Sequence, residues 1–397
     1  MLNLRYRRQH GGTVPPLFIG SIDGATLGRI QSYNADREAY GLWRLGATVP
    51  FVLWFYFGTG LEKFDQLVNG LPLPQLIQGV TFFVLLQIAV SILDLPLDAI
   101  STFYIEQKHG FNRSTPRLFL MDWLKGTVLG SLLWSLVCVC GLWLMRASPS
   151  LYFLWFWGFA VGLALLLMFL SPYVIEPLFI KTAPVDTESL AAEIRALAER
   201  AGVKVTQVLK MDASRRTGHA NAYFTGIGSV KRVVLFDTLL AQLSHEEVLA
   251  VLAHELGHWK LRHVTQRLIT FALLALTLLY VISRSLGTPT MLEVLGYANA
   301  SSTAQITVVA FMIATVGFWI TPLSSYWSRV HEWQADAFAR KLLGHPEALA
   351  SALVKLARDN LSNLHPHPWF AAFYYSHPTT QNRVAQLQAH PSNVPAT

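Results

Sequence analysis

Six runs of apolar residues, most of them long enough to cross a bilayer as a helix, constrain this 397-residue chain more than any other feature. They lie at about 41–58, 76–98, 127–145, 151–172, 268–283 and 304–323. A hydrocarbon core of about 30 Å takes roughly 20 helical residues, so the short fifth run needs its flanks. Composition agrees, with 52% of residues hydrophobic and only 14% charged, against about 25% charged in an ordinary soluble domain. Such a chain lacks the charge to cover a large water-facing surface. That excludes a cytosolic enzyme, a disordered chain and a nucleic-acid module, and selects a polytopic membrane protein. Trp and Tyr crowd the third, fourth and sixth runs, as expected near membrane interfaces.

The net charge of +7 follows the membrane. The turns at about 59–75, 146–150 and 284–303 hold one basic residue each, Lys63, Arg146 and Arg284. The rest of the 31 Lys and Arg, Arg44 inside the first run aside, lie before the first run, in 99–126, in 173–267 or after the sixth. Basic residues collect on the cytoplasmic side, so both termini and the large polar segments are expected there. No single basic patch forms, and no nucleic-acid partner is expected. Cys138 and Cys140 make no disulfide framework, and no apolar stretch follows the basic N-terminus as it would in a signal peptide.

The expected organisation is a cytoplasmic N-terminal segment (1–40), four spans (41–172) with a cytoplasmic loop at 99–126, a cytoplasmic insert (173–267), a transmembrane hairpin (268–323) and a cytoplasmic C-terminal part (324–397). Within the insert, TESLAAEIRALAERAG reads as an amphipathic helix stopped by Gly202, and VTQVLKM, AYFTGIG and VKRVVLFD read as strands.

Residues 245–263 read HEEVLAVLAHELGHWKLRH, and within them His254, Glu255 and His258 fit H-E-x-x-H. Residues four apart share a helix face, so both imidazoles can meet one metal ion while Glu255 reaches a water in its open position. A catalytic zinc keeps three protein ligands and one open position. Glu255 would take a proton from that water and later pass it to the leaving amine. The motif also arises by chance on surface helices; the apolar lead-in VLAVLA, which buries one side, favours the metal.

The third ligand follows from heights above the membrane. No Pro or Gly stands between Trp259 and Gly287, so the H-E-x-x-H helix is expected to run straight into the fifth span. The sixth is expected to continue past Leu323 without a breaker until Gly344. His258 then lies about 15 Å along one helix and Glu332 about 13–14 Å along its antiparallel neighbour. Glu332 is the expected third ligand, with Asp336 four residues on as an acceptor that fixes an imidazole tautomer. His331 is the rival, pointing about 100° away from Glu332.

HELGH followed by HEWQAD resembles the gluzincin membrane peptidases typified by CAAX prenyl protease 1. So do YIEQKHGFNRST at 104–115, HANAYFTG at 219–226, and Ser376-His377-Pro378 with Arg383 beyond. The resemblance implies a mainly α polytopic membrane protein, about six transmembrane helices around a chamber, with a zincin-like α+β domain carrying a small β-sheet. It implies an endopeptidase with one Zn2+ per chain, acting on CaaX-type prenylated C-termini or other lipidated, extended substrates close to membrane lipid. Clearance of misfolded membrane proteins is the alternative with the same chemistry, and a zinc-binding scaffold or transporter the alternative without it. By the same resemblance Asn221 would hold the substrate backbone, with Ala222, Tyr223 and the strand to Thr225 pairing to it. His377 would donate to the oxyanion, and Arg383 would bind a substrate carboxylate or make an ion pair. His109 is expected to be structural. Eukaryotic members have seven spans where this chain shows six, and its last hairpin is short. A more open chamber and a bacterial inner membrane, rather than endoplasmic reticulum, are therefore expected.

Arg44, Gln87, Asp94, Asp98, Asp122 and Lys125 lie in or beside the spans. Such groups face a wet cavity or pair with one another; pairing of Asp98 or Asp122 with Lys125 is expected near the interface, and chamber lining for Asp94.

Overall fold

The computed structural model describes residues 2–225, 231–286 and 288–389. It is mainly helical, with one four-stranded sheet. Helix α1 (Leu2–His10) is tied to α2 (Gly24–Phe57) by Arg7, buried and 2.9 Å from Glu38. The apolar run 41–58 is only the second half of α2; Ile30 and Tyr33 bury the first half in the polar domain, so this helix links the two layers. Then come α3 (Gly60–Asn69), α4 (Gln75–Ile100), α5 (Pro116–Ala147), α6 (Tyr152–Leu170) and the short α7 (Glu176–Phe179). Wide π-type turns at Ser101–Glu106 and Ser171–Ile175 carry α4 and α6 onward.

Among the described residues four helices are long and apolar enough to cross a membrane: Gln75–Glu106, Pro116–Ala147, Tyr152–Phe179 and α11 (His263–Leu286). After the short α12 (Pro289–Val294) comes α13 (Ser302–Phe318), which with α14 (Thr321–Leu343) makes a fifth, bent by 55°. The second half of α2 is the remaining expected span, and its Leu45, Phe51, Leu53, Trp54 and Phe57 present an exposed apolar surface of the kind lipid covers. Between the spans lies a cavity of about 530 Å³, lined by Tyr56, Leu86, Trp134, Phe156, Leu279 and Phe311 among others. At one end Asp65 of α3, buried, accepts from the Ser301 backbone N–H at 3.1 Å and so anchors the start of α13.

The sheet has order β1-β2-β4-β3, from β1 (Thr182–Pro184), β2 (Val205–Met211), β3 (Ala222–Thr225) and β4 (Lys231–Phe236). β2 and β4 are parallel; β1 and β3 flank them antiparallel, leaving β3 as an edge strand. The expected helix is α8 (Glu188–Arg200), ended by Gly202 at φ +70. β1 was not expected, and AYFTGIG is strand only to Thr225, since 226–228 lie outside the described residues. After α9 (Asp237–Gln242), α10 (His245–Lys260) packs against α8, α14, α15 (Glu347–Asp359) and β3. Ile194, Val233, Leu235, Leu252 and Leu256 meet there in one buried cluster, each contributing about 2 kcal/mol by burial. The chain closes with α16 (Pro368–Tyr374) and α17 (Thr380–Gln388).

The charges near the spans pair in ways the local spacing did not reveal. Arg44 forks across α2 and α4 to Asp94 at 2.7 Å and Asp98 at 2.9 Å, so Asp94 is paired. Asp122 takes Arg216 at 2.9 and 3.2 Å rather than Lys125, which donates to the Leu178 carbonyl at 2.9 Å. Gln87 accepts from Ser131 at 2.8 Å.

Two expected continuities are corrected. α10 stops at Lys260 and α11 starts at His263, with Arg262 in the left-handed region at φ 59. The sixth run breaks at 319–320, where α13 gives way to α14. Neither ligand helix runs straight into the membrane.

α10 starts on a capping box, with Ser244 and Glu247 bonded reciprocally, and Glu247 also accepts from Ser351 at 2.7 Å and Lys355 at 2.8 Å of α15. Burial would raise the Glu247 carboxyl, but Lys355 and the other donors hold it below the usual carboxylate range. Replacing Glu247 by Ala should cost about 2–3 kcal/mol, since it removes a cap and leaves Lys355 unpaired. Because the folded value is lowered, the wild-type contribution is present above about pH 4.3 and fades as acid drives the pH down through the folded value. Thermal unfolding of wild type and variant across pH 3–7 in detergent checks both, the gap closing toward low pH.

Candidate active site

α10 buries Val248, Ala250, Leu252 and Ala253 and thereby turns His254 and His258, four residues apart, toward α14. The two helices approach backbone to backbone. A Cβ at Gly257 would stand 3.0 Å from the Cα of Ala335 and 3.2 Å from its carbonyl oxygen. That approach brings Glu332, only 2% exposed, between the imidazoles. His254 Nε2 lies 3.3 Å from Glu332 Oε2, His258 Nε2 lies 3.3 Å from Glu332 Oε1, and the two Nε2 atoms are 3.3 Å apart.

These three residues are the group of metal-ligating type found among the described residues. A tetrahedral ion with bonds of about 2.0–2.1 Å separates its ligand atoms by about 3.3 Å; the two imidazole nitrogens stand that far from each other, and each stands that far from one of the two Glu332 oxygens. Glu332 Oε2 is buried and has no hydrogen-bond partner, an orphan that a cation would satisfy. The residues present therefore fit a zinc-type ion.

The electrostatics agree. Burial would raise Glu332, yet the two imidazoles hold it well below the usual carboxylate range. Burial and the Arg383 charge would lower His254, yet Asp336 and Glu332 hold it up at about 9. Both effects say that the cluster attracts positive charge. Glu255, beside the first imidazole, is pushed up by burial against the opposing pull of His254 and His258, in the direction a general base working near neutrality needs.

Asp336 Oδ1 sits 2.8 Å from His254 Nδ1 and so fixes that ring with Nε2 free to ligate. Asp336 is itself gripped by Arg383 of α17, Nε to Oδ2 at 2.8 Å and Nη2 to Oδ1 at 2.6 Å. Arg383 is 8% exposed and lies 3.6 Å from Glu332. Of its two alternatives the geometry selects the ion pair; a guanidinium so enclosed is not open to a substrate carboxylate. His377 reaches the site from the chain before α17. Its Nε2 is 3.3 Å from Glu332 Oε1, its Nδ1 meets Ser376 Oγ at 2.8 Å, and its side chain is 61% exposed.

Other expected residues stand further out. Asn221 is exposed, and its Oδ1 accepts from the Ala222 N–H at 2.9 Å, a turn ahead of β3. Ala222 is buried and Tyr223 half-buried on that strand. His331 is no ligand: its ring stacks on His263 at 4.0 Å, and its Nε2 accepts from the Trp327 indole at 2.7 Å. His109 pairs with Asp36 at 2.7 Å, away from the cluster. The loop at 104–115 does meet the segment before β3, through Arg113 N–H to the Arg216 carbonyl at 3.1 Å and Gly218 N–H to the Phe111 carbonyl at 2.9 Å. His219 stacks on Phe111 and lies 3.3 Å from Glu106. His263, which ends the 245–263 stretch, was not singled out; it touches His258, and its one sequence signal is a third His close behind the motif.

Replacing Arg383 by Met should strip Asp336 and Glu332 of their guanidinium. Leaving buried charge uncompensated costs about 3–5 kcal/mol, so a lower melting temperature together with weaker metal retention is expected, read by thermal unfolding and metal analysis of the same sample.

A family model described as the CAAX prenyl protease N-terminal, five membrane helices, matches residues 3–181, and one described as Peptidase family M48 matches residues 184–390. A CAAX prenyl protease 1 homolog of Oryza sativa subsp. japonica is 32% identical, covering 96% of this chain and 92% of its own. CAAX prenyl protease 1 of Saccharomyces cerevisiae is 30% identical over 96% and 90%. The crystal structure of S. mikatae Ste24p superposes with a TM-score of 0.90 at 28% identity, covering 98% of this chain and 95% of that one.

Proposed function

The chain belongs to Peptidase family M48, joined to the CAAX prenyl protease N-terminal part, and from that premise we propose that it is an integral-membrane zinc endopeptidase acting on peptide segments close to the membrane. The observation that carries the reading is the convergence of the His254 and His258 imidazoles, 3.3 Å apart, on the Glu332 carboxylate beside Glu255. Zinc held by His254, His258 and Glu332 would supply a Lewis acid for the scissile carbonyl and lower the pKa of its bound water.

The protein's own groups do the rest. Glu255 takes the proton from the attacking water, holds it on its carboxylate and delivers it to the departing amine. His377 directs an N–H at the oxygen on which negative charge develops. Asp336, backed by Arg383, keeps His254 in the ligating tautomer. The edge of β3, with Asn221 at its start, pairs with an extended substrate. The distribution of the basic residues supports a cytoplasmic site for this chemistry. The name shared by the relatives supports prenylated or similarly lipidated C-termini as substrates. The domain bounds read from the sequence are carried into this reading as part of the proposal, and a bacterial inner membrane is the setting favoured by the short last hairpin.

Glu255→Ala should retain one zinc per chain and cleave at least about 100-fold more slowly, measured with a farnesylated peptide and its unprenylated twin. Wild-type cleavage by the variant would sink the mechanism. Equal rates on the two peptides would shift the substrate toward misfolded membrane proteins.

A pocket of about 600 Å³ adjoins the site, with His377 in its wall. Its lining includes Arg37 and His219 and, among the described residues, no Asp or Glu. Arg37 lies 5.5 Å over the Tyr33 ring and makes no ion pair among the described residues. An anionic peptide end suits this pocket. Arg37→Gln should raise KM about 5–10-fold for a peptide with a free C-terminal carboxylate, the loss of one exposed charge-assisted bond, and leave the C-terminal amide unchanged in steady-state kinetics.

A further inference from the structure

On an uninterrupted helix, a residue five beyond His258 would point about 140° away from it. His263 does not. The break at Leu261 and Arg262, with Arg262 at φ 59, swings the start of α11 back toward α10. His263 is 1% exposed, and its Nδ1 lies 2.9 Å from His258 Nδ1. Its Nε2 lies 2.9 Å from Gln334 Oε1, two residues beyond Glu332 on α14. The parallel His331 ring, 4.0 Å away, covers its face.

A neutral histidine that ligates through Nε2 carries its proton on Nδ1, and that proton needs an acceptor. For His258 the acceptor is His263 Nδ1, which is free to accept only if the His263 proton is on Nε2. That proton is donated to Gln334 Oε1, an oxygen that only accepts, so the chain ends there. The opposite polarity, with the Gln334 amide donating, would place the His258 proton on Nε2 and silence it as a ligand. The orientation of one amide thus decides the tautomers of two imidazoles.

We propose that His263 is a positioning residue: with Gln334 it locks His258 in the tautomer, and aims it along the direction, that metal binding requires. The inference rests on the zinc reading of the site. It makes the two imidazole ligands unequal, since His254 is backed by the Asp336 carboxylate and His258 by a neutral ring.

The test is metal affinity, measured by chelator competition on the purified full-length protein in detergent with zinc, and the visible absorption of the cobalt form. His263→Leu should weaken zinc binding about 10–100-fold, the usual cost of removing such a partner, and shift the cobalt bands. His263→Asn, which returns an acceptor oxygen beside His258 Nδ1, should recover most of both. A folded His263→Leu protein with wild-type zinc affinity and cobalt bands would overturn the proposal, as would a His263→Asn protein no better than His263→Leu. Should His263→Leu fail to fold, Gln334→Leu carries the same expectation and the same refutation. His258→Ala separates the two readings: retention of stoichiometric zinc there refutes the ligand assignment itself, whereas loss of zinc in His258→Ala with normal affinity in His263→Leu refutes only the positioning role.

Discussion

Two carboxylates, Glu332 and Asp336, stand one turn apart on α14, each 2% exposed, and the arrangement of the polar domain follows from the need to compensate them. Taking a carboxylate out of water costs several kcal/mol even after relaxation. Here the compensation comes from three directions: His254 and His258 on α10, His377 on the approach to α17, and Arg383 on α17. Those pairs dock both α10 and α17 against α14. The backbone contact at Gly257 and Ala335 is what lets the imidazoles reach. Chemistry and architecture share the same bonds, so a substitution in this cluster is felt in both.

What could be read in the sequence was what is local. The i,i+4 spacing of His254 and His258 is a property of one helix, and α8, β2 and most of β4 coincide with runs visible in the pattern. The break before α14 was also signalled, by Gly317 and by Pro322 in the first turn of the new helix, since proline cannot continue the hydrogen bonding of the helix before it. The break at Arg262 carries no such mark: a non-glycine residue in the left-handed region is held there by tertiary contacts and costs of order 1–2 kcal/mol. Glu332 nonetheless stands beside His254 and His258, although both ligand helices are interrupted.

Long-range partners were the part out of reach. Nothing in the spacing of Asp122 points to Arg216, 94 residues away, and nothing around Arg383 tells a substrate anchor from a partner for Asp336. Those roles depend on where loops return in space. The four ordered blocks beyond the zinc motif marked such positions only by likeness to other chains, which says that a residue matters before it says what it touches.

The bends at 261–262 and 319–320 also have a mechanical consequence. Membrane helices tilt to suit the thickness of the bilayer around them, and a rigid helix carried from the lipid into a metal centre would act as a lever on its ligands. Here each ligand helix meets its neighbour in the membrane through a joint instead. Changes of lipid thickness can be taken up at those joints, so that ligand spacings of a few ångströms persist in membranes of differing composition.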